Sequence, residues 1–301
     1  MNKKFTALLL VGIIGSGLIY THPAFAHNFG GDQSASWLAK VAEIKTEVSN
    51  VAKHVGHKDT IDYYADALGE YWTANDTVEM GERNALLQQE IPSTINATLD
   101  DATSGNQSVV NDDVAKLGGY LDESIPVRID KDKLNNATVQ ALAVTFVIKE
   151  ALEKYGDAVN STVDLNDMSQ MNMSGDNMSS MSMSNTVVNA DAYENSVSLA
   201  TTAQQMFSDV ASKNPSMSGN SKISDGFTKL VQDLNDKADV NTIMMDVHVG
   251  IHPTLIEAYN IQGADAHGTP AVPEFPMPAL LIIIAIAGAV ITTRFKSHIG
   301  F

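Results

Sequence analysis

Six of the 13 methionines fall in one window, Met168, Met171, Met173, Met178, Met181 and Met183, among Ser, Asn, Asp and Gly. A thioether sulfur is a soft, uncharged ligand suited to Cu(I), and two or three of them can wrap one ion. Met171-Asn172-Met173 and Met181-Ser182-Met183 supply such pairs, and Asp164, Asp167 and Asp176 add negative charge nearby. Histidine gives a second set. His248 and His252 are four apart, on one helix face if the helix continues, with Asp246 close by. Pro253 disfavours helical geometry at His252, so the pair can straddle a boundary. His54 and His57 form another close pair, and His27 would join imidazole to a free amine for Cu(II) if it became the mature N-terminus. The competing reading is a low-complexity linker beside capped or solvated histidines.

Other chemistry is excluded or unsupported. The chain has no Cys, which removes disulfides, thiolate ligands and thiol nucleophiles. It has no His-Glu-x-x-His, no phosphate-cradling Gly loop and no Gly-x-Ser-x-Gly elbow. A di-iron carboxylate bundle requires Glu-x-x-His, which occurs nowhere. The chain is therefore not expected to be an enzyme. With 19 Lys+Arg against 36 Asp+Glu the net charge is −17, a balance that repels nucleic acid and anionic lipid and attracts cations. The acidic residues read as a solvated face.

The elements holding these residues read as helices. Trp37, Val41, Ile44, Val48, Val51 and Val55 alternate spacings of four and three, one apolar seam of a helix from about Ser34 to Val55. Ile61, Tyr64, Leu68 and Tyr71 continue it after Gly56. Asp76 is expected to N-cap a helix bearing Leu87, Ile91, Ile95 and Leu99, with Pro92 as a kink. Ser104-Gly105-Asn106 reads as a turn. Val114 to Ile125 make a further helix ended by Pro126, and Asn136 caps another running to Val159.

The sequence thus predicts an all-α antiparallel bundle over 27–159 and a flexible Met/Ser/Asn-rich linker over 160–186. A second helical section spans 187–262, with stripes at Val197–Val210, Ile223–Leu234 and Val240–Ile251.

Both ends are apolar. Met1 to Ala26 reads as a signal peptide: Lys3 and Lys4, an apolar Leu8–Tyr20, and Ala24-Phe25-Ala26 as the cleavage pattern. At the other end a spacer over 263–276 precedes an uncharged run over 277–293, long enough for a short transmembrane helix. Residues 294–301 follow as a basic end, cytoplasmic under the positive-inside rule. Seven Asn-x-Ser/Thr sequons, at Asn75, Asn96, Asn106, Asn136, Asn160, Asn172 and Asn177, fit glycosylation outside the membrane.

Pro273-Glu274-Phe275, a hydrophobic helix, and then Arg294 and Lys296 resemble the archaeal sorting tails of the PEF-CTERM and PEFG-CTERM type. The latter usually carries Gly where this chain has Pro276. The resemblance implies recognition by an archaeosortase-like membrane transpeptidase, removal of the tail and transfer to a surface or lipid anchor. His27-Asn28-Phe29 followed by amphipathic helix also looks like the secreted, sorting-tailed proteins of ammonia-oxidising archaea. The expected function is a structural or interaction role at the cell surface. The alternative is extracytoplasmic copper binding or storage.

Overall fold

The computed structural model describes residues 33–171 and 186–261, and its regular elements there are all helical. The helices are α1 (Gln33–Lys53), α2 (Lys58–Tyr71), α3 (Ala74–Arg83), α4 (Ala85–Ser104), α5 (Gln107–Arg128), α6 (Lys131–Leu134) and α7 (Ala137–Ala158). After the gap come α8 (Ala190–Lys213), α9 (Asn220–Asn235), α10 (Val240–Met245) and α11 (His252–Tyr259). A 3-10 turn at Met168–Gln170 follows α7, and a π-helical turn, Asp246–Ile251, joins α10 to α11.

Helix ends follow their capping chemistry, sometimes at other residues than expected. Thr73, not Asp76, caps α3: its hydroxyl accepts from the Asp76 backbone N–H, and the Asp76 carboxylate accepts from Thr73 N–H at 2.9 Å. The single helix expected through Leu99 is two. Asn84 ends α3, and its side chain then accepts from Leu86 N–H and Leu87 N–H to start α4. Pro126 does not end α5, which continues to Arg128. Gly105, at φ 84°, closes α4 in the left-handed region that a side chain resists, and Asn106 opens α5.

Buried side chains form two apolar clusters, and α1 contributes to both. Trp37, Val41, Ile44, Val48 and Val51 enter the first, with α2 to α5, as the heptad spacing predicts. Ala35 and Ala39, on the opposite side of α1, enter the second, with α7 to α11. Thus α7, grouped by sequence with the first bundle, buries Val144, Ile148, Leu152 and Tyr155 in the second core. Its Ala-rich surface lets α8 approach closely, and Ser196 donates to the Ala151 carbonyl at 2.8 Å.

The linker expected over 160–186 is docked over its first part. Leu165 is 2% exposed within the second core, and a Cβ on Gly156 would lie 3.3 Å from its Cδ1. Leu165, with Val163 and Met171 packed beside the same core and local Asx turns, orders what composition read as flexible. Among the described residues no helix is long and apolar enough to cross a membrane. The signal peptide, the spacer, the 277–293 run and the basic end all lie outside them.

Candidate functional site

Of the residues nominated for metal binding, the structure brings together His248 and His252, and His248 meets the backbone three residues ahead of Met168. The π-turn widens the helix by an extra residue and carries His248 inward, where it is 5% exposed. Its ring nitrogen Nε2 lies 2.7 Å from the Leu165 carbonyl oxygen, which makes Nε2 the donor and leaves Nδ1 with its lone pair. The His252 ring stands edge-on to it, with centroids 5.5 Å apart. His252 Nε2 is buried and has no partner among the described residues.

Burial disfavours the imidazolium at both positions. It lowers His252 to about 3, with His248 adding repulsion, and lowers His248 against the opposing pull of Asp164 and Asp167. Both rings are therefore neutral near pH 7, the state that binds metals.

Met168 and Met171 follow Leu165 in the docked segment, and Met171 packs against the second core. Asp246 is directed elsewhere: it accepts from Lys229 Nζ at 2.7 Å. Burial, with Asp233 close by, raises its carboxyl to about 6. His54 and His57 do not join the pair. His54 bonds Glu194 at 2.7 Å and stacks on Tyr64, tying the end of α1 to α8. Met173, Met178, Met181, Met183 and His27 lie outside the described residues. Among the described residues no group of three or more His, Asp and Glu is arranged to hold a metal ion. Copper there would need methionine sulfur to complete its ligand set.

A second concentration of chemistry was read by sequence as solvated surface. On the side of α1 facing α7 and α8, Glu43 is 5% exposed and Glu47 fully buried, and Glu150 on α7 is 3% exposed. Lys154 Nζ lies 3.1 Å from Glu150 Oε1 and 3.9 Å from Glu70 Oε2. Although burial opposes its charge, Glu150, Tyr63 and Glu70 hold Lys154 above the ordinary lysine range. Burial drives Glu43 well above the carboxylate range, with Glu150 adding repulsion. It raises Glu47 to about 8 despite the lowering by nearby Asn195 and Lys154.

The arrangement sets two carboxyls that burial pushes upward beside the Glu150–Lys154 ion pair. Neither oxygen of Glu47, and neither polar atom of the fully buried Asn195, reaches a hydrogen-bond partner among the described residues.

The signal for this cluster was present in the spacing. Glu43 and Glu47 are four apart, as are Glu150 and Lys154, so each pair shares a helix face. Which face is covered depends on helices remote in sequence. The sequon asparagines that are described, Asn75, Asn96, Asn106, Asn136 and Asn160, are all exposed. Asn106 and Asn136 also cap α5 and α7 through their side-chain oxygens, so the cap does not use the amide nitrogen that a glycan would take.

Comparison with family models, curated proteins and solved structures finds no match to this chain.

Proposed function

We propose that this chain is an exported, acidic, glycosylated helical protein displayed at an archaeal cell surface, with a structural or interaction role there. The observation that carries it is the layout of the sequence: a Cys-free acidic body between a signal-peptide pattern and a Pro-Glu-Phe tail with its apolar run and basic end. Exposure of the described sequon asparagines supports glycan attachment. In this reading residues 277–293 form a transmembrane helix that an archaeosortase-like enzyme removes in exchange for a lipid or surface anchor. Mass spectrometry of the native protein tests it. The expected product begins at His27, ends upstream of residue 277 and carries mass on at least one sequon. A cytosolic product with both ends intact refutes it.

A second reading, copper binding or storage, is favoured by one specific contact. The His248–Leu165 hydrogen bond ties His248, which stands beside His252, to a residue three positions ahead of Met168. Two neutral imidazoles with a run of thioethers suit Cu(I). Titration with Cu(I) and Cu(II) separately, with and without residues 168–183, tests this reading. Submicromolar Cu(I) binding that weakens at least tenfold on the deletion and on His252→Ala supports it. No binding to the intact protein removes it.

A further inference from the structure

All five described sequon asparagines are exposed, but an exposed asparagine is half of what an acceptor needs. The Asn-x-Ser/Thr pattern takes in a hydroxyl two residues on, so a folded chain must present the amide and the hydroxyl together. In two of the sequons the hydroxyl is committed within a helix. At Asn96, in the middle of α4, Thr98 is fully buried and its hydroxyl donates to the Thr94 carbonyl at 2.8 Å. Presenting that sequon means unwinding α4 where Thr94, Ile95 and Thr98 are all buried. At Asn75, inside α3, the Thr77 hydroxyl accepts from Trp72 Nε1 at 2.9 Å. Asp76, between the two, accepts from Lys40 Nζ at 2.7 Å.

The two capping sequons are tied at the asparagine itself. Asn136 accepts from Thr138 N–H at 2.9 Å and from Val139 N–H at 3.4 Å. Its hydroxyl partner is engaged as well: Thr138 donates to the Tyr259 carbonyl at 2.7 Å, joining α7 to α11. Asn106 accepts from Val109 N–H at a longer 3.5 Å, and Ser108 is exposed, so the fold holds this sequon less firmly. It still sits at the first turn of α5.

Asn160 differs on each count. It follows α7 in the left-handed region, at φ 50°, which Asn adopts more readily than most side chains. Ser161 N–H donates back to the Gly156 carbonyl at 2.9 Å, and Ser161 Oγ donates forward to the Val163 carbonyl at 3.0 Å, so the backbone leaves the helix in a turn. Asn160 and Thr162 are both exposed, and neither side chain makes a hydrogen bond among the described residues. We propose that Asn160 is the principal N-glycosylation site among the described sequons, with Asn106 next and Asn75, Asn96 and Asn136 closed by the fold. This rests on the glycoprotein reading above and adds the choice of site. A bond forms between Asn160 Nδ2 and the anomeric carbon of a sugar as that carbon's bond to a lipid-linked phosphate donor breaks. The phosphate leaves with the electron pair, and solvent takes the Nδ2 proton.

Peptide mass spectrometry of the native protein, read sequon by sequon, tests the assignment. Occupancy at Asn160 should exceed that at Asn75, Asn96 and Asn136 by at least about tenfold, since those three need local unfolding before transfer. Asn160→Gln should remove most of the glycan carried by the described sequons. Thr162→Ala, which leaves the asparagine in place, should remove as much. Occupancy at Asn96 comparable to that at Asn160 overturns the inference, because the chain would then be modified before α4 forms. An empty Asn160 with glycan on other sequons also overturns it and leaves the glycoprotein reading standing. No glycan at any sequon overturns both. The native occupancy map decides by itself should either variant fold poorly.

Discussion

Lys154 shows how much one side chain can carry when its partners are buried. It is 8% exposed, and its Nζ lies 3.1 Å from the carboxylate of Glu150, a residue 3% exposed. Replacing Lys154 by Met should therefore destabilise by about 3–5 kcal/mol, since it removes one member of a buried ion pair. Urea unfolding at pH 7 measures this. Leu165 is a different case, an apolar anchor at the head of the Met window. Leu165→Ala should cost ~3 kcal/mol, combining lost transfer energy with a cavity against Gly156. It should also loosen the carbonyl that accepts from His248, and the His248 ring protons seen by NMR should broaden or shift. No movement of those signals would separate the segment from the histidine pair.

Among the elements, the capping box of α3 and the close approach of α9 to the π-turn give clear expectations. Thr73→Ala removes the hydroxyl that accepts from Asp76 N–H, and a loss of about 1 kcal/mol is expected in thermal or urea unfolding. Asp76 also bonds Lys40 Nζ at 2.7 Å and lies near Arg128, whose guanidinium stacks 4.1 Å above Trp37. That network, linking α1, α3 and α5, should persist in the variant. On α9, a Cβ at Gly226 would lie 2.9 Å from Ile251 Cγ1 and 3.6 Å from the Gly250 carbonyl oxygen. Gly226→Ala should push the π-turn outward and change the environment of His248 and His252, read by their NMR shifts. If copper is bound there, its affinity should fall with it.

For the molecule as a whole, stability should peak at mildly acidic to neutral pH. A carboxyl raised to about 8, as at Glu47, contributes stability that is complete below its unfolded value near 4.5 and lost as pH rises through 8. An imidazole lowered to about 3, as at His252, works in the other direction: its contribution is present above the unfolded value of 6.5 and lost as pH falls toward 3. Between 4.5 and 6.5 the two slopes oppose each other, and outside that window one of them acts alone. Urea midpoints from pH 4 to 9 should trace a dome. His252→Leu should flatten its acid limb and Glu47→Gln its alkaline limb. A profile that only rises with pH would count against the Glu47 assignment, and one that only falls against the His252 assignment.

The helix positions, their polar starts and the acidic, Cys-free character follow from the chain alone, because period, cap residues and charge are local properties. The seam of Trp37, Val41, Ile44, Val48 and Val51 was legible for that reason, as was the Asn136 cap. The sequence by itself also supplies everything known of the two apolar ends. What the tertiary structure decided is the fate of second faces. Glu43 and Glu47 look solvated until α7 and α8, roughly a hundred residues onward, cover them. His248 looks like half of a surface pair until the Leu165 carbonyl meets it. Burial is set by whichever remote element docks on a face, and amphipathic spacing in one helix encodes where its strongest face lies but not what will cover the other.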